Sequence, residues 1–271
     1  MRLSRDSRVL VAAPVLAALL VMAIFSGFLA PDDPLKIDAR AILRSPGAGH
    51  PFGTDQLGRD LLSRIIYGAR VSLSVAAAAV TVATLVGVSL GLVAGYAGGW
   101  VENLLMRAID SFLSIPEIFV AIVVMAFFTS GLTTLVVTIG LLYFPQFARV
   151  VYAVTNSTKR REFVAAAVAL GASAPRILFR EILPNIASII VVQITFTISF
   201  AMLLEAGLSF LGLGVMPPRP SWGQMVGDLK DYVQINPLPV IFPSGALFLA
   251  VFAINTLGDW LQDWLNPEVG Q

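Results

Sequence analysis

Cysteine is missing from the chain altogether, and histidine occurs once, at His50. The first absence excludes disulfides, thiolate metal sites and a cysteine nucleophile. The second excludes a cluster of histidine metal ligands. Charge is scarce as well. Of the 271 residues, 13% are Asp, Glu, Lys or Arg, against about 25% in soluble domains. The net charge of +1 leaves no electrostatic footprint for nucleic acid or another polyanion. Lysine occurs at Lys36, Lys159 and Lys230, and never after glycine. A G-x-x-x-x-G-K phosphate loop therefore has no place in the chain. What fills it is apolar: 57% hydrophobic residues and a mean hydropathy of +0.83. That leaves too little polar surface to coat a water-soluble globule. A soluble enzyme, a disordered tail and a nucleic-acid reader are excluded, and a polytopic membrane protein remains.

A spanning helix takes about 20 mostly apolar residues. Val9 to Ala30 carries no charge and is read as a retained span, being too long for a removed signal peptide. Val71 to Val101 is uncharged and gives a second helix ending at Gly95, Gly98 and Gly99. Ile118 to Ala148 is uncharged but too long for one upright helix, with a turn signal at Ser130-Gly131. Two spans fit if the first begins near Ala108 and the second runs to about Ala153. Asp110, Pro116 and Glu117 then occupy first turns near the lipid headgroups, where the positive end of the helix dipole favours a carboxylate. Span five runs from about Asn185 to Leu204, and span six from about Val240 to Leu257. Pro145 and Pro243 fall in or near spans, where neighbouring helices satisfy the carbonyls they free. The expectation is an all-α polytopic membrane protein with six transmembrane helices.

Arg2, Arg5 and Arg8 precede the first span and predict a cytoplasmic N-terminus. Six crossings put both termini inside. The connection between spans four and five is then cytoplasmic and carries Arg149, Lys159, Arg160, Arg161, Arg176 and Arg180. The loop from Pro31 to Arg70, equally rich in basic residues, is external. The cytoplasmic connection reads as helix, glycine turn, helix. Asn156, Ser157 and Thr158 offer N-caps to a helix over Arg160 to Leu170. Gly171 stops that helix, Ser173 caps a second one with Pro175 in its first turn, and Pro184 marks the entry to span five. Ala165, Ala166, Ala167 and Ala169 let another backbone come close, with Phe163, Val164 and Leu170 as apolar anchors. Two readings fit this pair: docking to a partner, or folding against the chain's own membrane ends.

The segment Phe163 to Asn185, FVAAAVALGASAPRILFREILPN, resembles the cytoplasmic loop of binding-protein-dependent ABC importer permeases. The family pattern is Glu-Ala-Ala, three residues, Gly, and a later Leu-Pro. Ala166, Ala167, Gly171, Leu183 and Pro184 match it. Ala165 stands where the family has glutamate, and Glu162 lies one helical turn earlier. Three further segments are similar to the C-type subunit of dipeptide/oligopeptide permeases: HPFGTDQLGRDLLSRIIYGARVSL from His50, EAGLSFLGLGVMPPRPSWGQMV from Glu205, and LGDWLQDWLNP from Leu257.

The resemblance implies the type I ABC importer permease fold, with a coupling helix pair in the cytoplasm. Residues 1–70 form an N-terminal span and external loop with an amphipathic helix. Residues 71–271 form the permease transmembrane domain, with the coupling loop over 156–184. It implies a multi-pass cell-membrane subunit that is not itself an enzyme and has no catalytic or metal-binding residues. The substrate path lies between it and a sister permease. ATP and Mg are bound by cytoplasmic ATPase subunits, and an extracellular or periplasmic binding protein delivers the cargo. Di- and oligopeptides are the expected cargo, with nickel or haem-type compounds as the alternative. The ATPase-facing residues are Glu162, Phe163, Ala165, Ala166, Ala167, Leu170, Gly171, Ala172, Ser173 and Arg176. A secondary transporter is the rival reading, but it leaves the helix–glycine–helix loop unexplained. A membrane enzyme finds no clustered nucleophile, base or metal ligands.

Glu205, near the outer end of span five, is the candidate for the substrate path. It reads either as a pocket for a peptide ammonium or as an interface carboxylate paired with Arg219. Asp110 and Glu117 read as helix-start residues. On the external loop, Leu57, Leu61, Leu62, Ile65 and Ile66 recur at helical spacing. Asp55, Arg59 and Asp60 beside them are expected to face the binding protein, while the apolar face lies on the membrane or braces span two. Gly207, Gly212 and Gly214 read as close-packing or turn positions. Trp222, Trp260 and Trp264 suit the interface belts.

Overall fold

A computed structural model describes residues 7–128 and 131–265. Arg2, Arg5 and Ser130, used above for orientation and for a turn, lie outside the described residues, as does the end of the segment from Leu257. The described residues form helices, turns and two isolated β-bridges. In chain order the helices are α1 (Ser7–Ile24), α2 (Ser26–Leu29), α3 (Leu61–Ala97), α4 (Gly99–Leu113), α5 (Glu117–Phe127), α6 (Leu132–Thr158), α7 (Glu162–Ala169), α8 (Ala174–Arg176), α9 (Leu183–Phe210), α10 (Trp222–Leu229) and α11 (Leu238–Leu265). A π-helical turn, Ile177–Ile182, joins α8 to α9, so helix continues from Ala174 to Phe210.

Among the described residues, four helices are long and apolar enough to cross a membrane: α3, α6, the α8–α9 helix and α11. A fifth crossing exists only if α4 and α5 count as one broken span, and α1 is a shorter apolar helix. The expected third span therefore takes a different form. Helix α4 already occupies Gly99 to Leu113, and α5 departs from it at 87°. Pro116 causes the break, because it has no N–H to give and pushes Ile115 out of the helical region. Ser111 and Ser114 hydroxyls turn back to the carbonyls of Arg107 and Ser111 and saturate part of the exposed helix end. The 11 residues of α5 reach about 16 Å, half of a hydrocarbon layer of about 30 Å. Asp110 thus sits in the last turn of α4, and only Glu117 begins a helix.

Helix α3 also differs from expectation. The amphipathic segment around Leu61 to Ile66 is not a separate surface helix but the first two turns of α3, which continues through Arg70 without a break. Its N-cap is Asp60, whose carboxylate accepts from the Ser63 N–H at 2.8 Å.

The bundle is built around the contact of α3 with α6. Ala76, Ala79, Ala83, Gly87, Gly91 and Gly95 line one stripe of α3 at helical spacing, all buried. A Cβ added at Gly87 would lie 2.4 Å from Phe147 Cβ, at Gly91 2.6 Å from the Ala148 carbonyl oxygen, and at Gly95 2.7 Å from Thr155 Cβ. From the other side, a Cβ at Gly140 of α6 would lie 2.8 Å from Val82 Cβ. The backbones touch, which is how helices associate where lipid is as apolar as the side chains. Helices α1, α9 and α11 pack around this pair with Leu135, Ile139, Tyr143, Met202 and Ile254 in the central cluster. A smaller cluster sits at each end of α3. Leu61 and Ile65 meet Met225 and Leu229 of α10 at one end, and Leu92 meets Val151, Val164, Ile177 and Ile186 at the other.

Filling the seam tests this arrangement. Gly91→Val puts a branched side chain against the α6 backbone, an overpacking that costs about 1–3 kcal/mol or more. The expected result is a lower melting temperature in detergent or loss of the folded chain. Gly207→Ala is the control: no atom lies within 4 Å of a Cβ at Gly207, at a helical position, so its melting temperature stays at or above the parent value.

Candidate functional site

The loop after α6 is built as a short helix clamped by a glycine turn. Asn156 to Thr158 do not cap α7; they form the last turn of α6, and Arg161 occupies the α7 N-cap position without a side-chain bond. Helix α6 runs this far because Lys159 Nζ reaches across to the Gly95 carbonyl at 2.6 Å and pins its end to α3. Helix α7 ends in a Schellman motif. Ala172 N–H donates to the Ala167 carbonyl at 3.0 Å and Gly171 N–H to Val168 at 2.9 Å. Gly171 has φ +78°, the left-handed conformation that glycine adopts without steric cost.

The loop has two faces. Val164 and Ile177 are buried, with Phe163, Ala167 and Ala172 packed beside them against Leu92 and Val151. Glu162, Ala165, Ala166, Ser173 and Arg176 are exposed, as is Gly171. Leu170, 88% exposed, projects at the tip. Glu162 and Ala165, three residues apart, share the outward face. Ser173 stands at the N-cap of α8 but makes no side-chain cap bond.

Beyond Gly171 the expected second short helix is the foot of a 37-residue helix. Pro184 does not end it. A proline inside a helix removes one donor and crowds the carbonyl four residues back. Here the ladder widens into the π turn, and Leu183 N–H donates to the Leu178 carbonyl five residues earlier. The helix absorbs the proline and stays continuous from Ala174 to Phe210, with Ser173 and Arg176 of the exposed face at its foot and α7 joined to it through the Gly171 turn.

Glu205 lies on α9 and is fully buried. Ser209 Oγ donates to its Oε1 at 2.7 Å and Ser72 Oγ of α3 to its Oε2 at 3.2 Å, and Ser221 also hydrogen-bonds to it. Ser72 Oγ accepts from the Trp222 N–H at 3.2 Å, and Ser209 Oγ from the Val215 N–H at 3.2 Å. Arg219 is exposed, and no Glu205–Arg219 ion pair occurs among the described residues. The expected pairing with Arg219 is thus replaced by a cage of serine hydroxyls that ties α3, α9 and α10 together. Trp222 is buried too, with Nε1 donating to the Ile65 carbonyl at 3.0 Å, and so is no belt residue. Trp260 and Trp264 stack near the end of α11.

Asp55, Arg59 and Asp60 turn inward rather than toward a docking protein; they are 1%, 6% and 2% exposed. Asp55 Oδ2 holds Arg59 Nε at 2.6 Å and pairs with Arg64 Nε at 3.2 Å. Its Oδ1 accepts the N–H groups of Leu57 and Arg59. Asp60 caps α3 and meets His50 Nδ1 at 2.9 Å. Charges read as surface features are therefore the internal braces of the 31–60 connection, because buried ions persist only when paired and hydrogen-bonded. Burial pushes the Asp228 carboxyl of α10 up, against the opposing pull of Arg64 and Arg59.

Glu117, at the first turn of α5, is exposed. It lines a cavity of about 240 Å³ at the α4–α5 elbow, together with Phe112, Pro116, Leu142 and Gln146. Tyr143 Oη lies 3.4 Å from Glu117 Oε1 and 3.3 Å from the Phe200 carbonyl oxygen. The break at Pro116 was the available signal, because a carboxylate next to a broken span is rarely structural filler.

This architecture has known counterparts. The sequence profile of the family described as binding-protein-dependent transport system inner membrane component matches residues 87–271, and the chain belongs to that family. It is 38% identical over 268 residues to DppC, the dipeptide transport system permease protein of Alkalihalophilus pseudofirmus, across 99% of this chain and 88% of the relative. It is 40% identical over 263 residues to GsiD, the glutathione transport system permease protein of Pectobacterium atrosepticum, across 96% and 87%. In fold it is similar to a chain of the MetNI methionine ABC transporter, with a TM-score of 0.62 at 20% identity over 76% of this chain and 96% of that one. The chain is an ABC importer permease, and its relatives are permease proteins rather than ATPases.

The serine cage yields a prediction. Glu205→Ala leaves three hydroxyls facing a void, and breaking a buried charged network costs about 3–5 kcal/mol. A large fall in melting temperature is expected. Glu205→Gln keeps the shape and part of the bonding, so its loss is clearly smaller. Equal losses from the two variants would remove the cage as the explanation.

Proposed function

We propose that this chain is one of two permeases in an ATP-driven importer of di- and oligopeptides. A sister permease completes the path, cytoplasmic ATPase subunits receive the loop at Gly171, and an external binding protein delivers the cargo. The observation that carries the reading is the outward face of Ala165, Ala166 and Leu170, mounted at the foot of a helix that continues unbroken to Phe210. A surface that is small-sided, apolar and exposed is unstable in water and suits a groove on a partner. The Gly171 turn joins α7 to the foot of the α8–α9 helix, and the packing of Val164 with Ile177 converts motion of that partner into motion of a membrane span. The coupling requires the partner to hold the loop differently in its two nucleotide states, since a ligand of equal affinity shifts nothing. Cargo class follows the names of the dipeptide and glutathione relatives. The topology in this proposal has six crossings, with α1 and the broken α4–α5 pair each counted once and both termini inside.

Two experiments test the proposal on the reconstituted complex with its binding protein. Ala166→Trp enlarges the exposed face without touching the core. Dipeptide-stimulated ATP hydrolysis is expected to fall at least tenfold, because the loop no longer fits its groove, while the chain's melting temperature stays unchanged. Glu162→Ala is expected to lower the same rate more mildly; full coupling in that variant would show that Glu162 does not stand in for the family glutamate. A single cysteine at Ala169, placed in a chain that has no other, is expected to react with impermeant maleimide only from the cytoplasmic side. Labelling from outside would reverse the topology.

A further inference from the structure

We propose that the cavity at the α4–α5 elbow is a cation subsite of the transport path, with Glu117 receiving the ammonium group of the passing peptide. The inference rests on the importer reading above and names the group that this chain contributes to cargo recognition.

Depth is the first argument. Glu117 lies beside Tyr143, and Tyr143 is the twelfth residue of α6, whose uncharged stretch runs from Leu132 to Ala148. Eleven rises of about 1.5 Å place the carboxylate roughly 16 Å from the Leu132 end, well inside a hydrocarbon layer of about 30 Å. This is not the headgroup position that a helix-start reading gives it. A charge at such depth is costly, and it faces a protein interior or a watery cavity.

Bonding is the second argument. Glu205, the other membrane-embedded carboxylate of this size, is enclosed by hydroxyl donors. Among the described residues Glu117 has one hydrogen-bond partner, Tyr143, which has a single proton to divide between Glu117 Oε1 and the Phe200 carbonyl. No lysine or arginine forms an ion pair with Glu117 among the described residues. The carboxylate keeps acceptor capacity facing the cavity.

Shape is the third. The cavity exists because Pro116 breaks the span, so the chain forms an elbow where a straight helix would have filled the space. Gln146 presents an amide on the wall from α6, and Phe112 and Leu142 supply apolar surface. A carboxylate, an amide and an apolar wall in about 240 Å³ match an amino terminus with the start of its side chain, and are too small for a whole peptide. The site grips one end while the rest of the cargo passes along the partner permease.

The test uses the complete complex in lipid nanodiscs with Gln146→Cys as a reporter on the cavity wall, read by intact mass of this chain. With Glu117 present, and with each rate divided by that reagent's rate toward a free thiol, the cationic reagent MTSET is expected to modify residue 146 about tenfold faster than the anionic MTSES, as a focused field raises local cation concentration. In the Glu117→Gln background the two normalised rates converge. Dipeptide with loaded binding protein and ATP is expected to slow the cationic labelling. Charge-blind labelling, a preference that survives Glu117→Gln, or labelling indifferent to dipeptide would each overturn the proposal. Dipeptide uptake is measured in parallel. A complex without reporter or variant that fails to take up dipeptide overturns the importer reading instead. A drop of at least tenfold in uptake for Glu117→Gln, partly restored in Glu117→Asp, supports the subsite.

Discussion

The contact between α3 and α6 is the constraint that the rest of the molecule obeys. In lipid there is no hydrophobic penalty for an exposed leucine, so apolar side chains alone do not hold two helices together. What remains is close contact, and the α3 stripe from Ala76 to Gly95 allows it by presenting little beyond backbone. Once those two helices touch, the positions of the others follow. Helices α1, α9 and α11 fill the sides, α10 closes one end, and the loop after α6 closes the other. Lys159 and Gly95 fasten the seam where α6 stops, so the loop begins from a fixed point rather than a fraying end.

That rigidity gives the loop its mechanical meaning. A short helix on a flexible tether would dissipate any push it received. Here the buried side of α7 packs on Leu92 and Val151, and beyond Gly171 the chain continues into α9 through a π turn that accommodates Pro184. The serine cage around Glu205 joins α9 to α3 and α10 near the far end of the same helix. In the proposed importer, a displacement at Leu170 reaches α9 through the packing of Val164 with Ile177, and the serine cage anchors that helix about a turn from its far end.

Much of this is legible in the amino-acid sequence. Charge-free runs mark α3, α6, α9 and α11, and glycine after an alanine-rich segment marks the end of α7. The features that were hidden share a cause. A continuous apolar run says that residues are in lipid but not that the helix is straight, so the α4–α5 elbow read as the first turns of an ordinary span beginning near Ala108. Periodicity places Leu61 and Ile65 on one face yet does not say whether that face meets lipid or α10. Polar residues read as surface by default, which misplaced Asp55, Arg59 and Asp60; their partners Arg64 and His50 become neighbours only when the connection folds back on α3. Trp222 read as a belt residue for the same reason, since its indole acceptor is the carbonyl of Ile65, far away in sequence.

Two carboxylates show what separates structural from functional charge inside a membrane. Desolvation is costly for both, and each needs a compensating interaction. Glu205 obtains it completely from this chain: its oxygens are occupied by serine hydroxyls whose own oxygens receive backbone N–H groups, and it is fully buried. The network is closed, so a ligand there would displace protein–protein bonds for no gain. Glu117 obtains only a share of one tyrosine proton, and the break at Pro116 opens a cavity beside it. An incomplete shell around a deep charge is stable only if something outside this chain completes it, whether water, a partner helix or a passing cation. A permease has to bind its cargo weakly enough to release it, and a half-satisfied carboxylate meets that requirement better than a saturated one. The same physics that makes Glu205 a brace leaves Glu117 available.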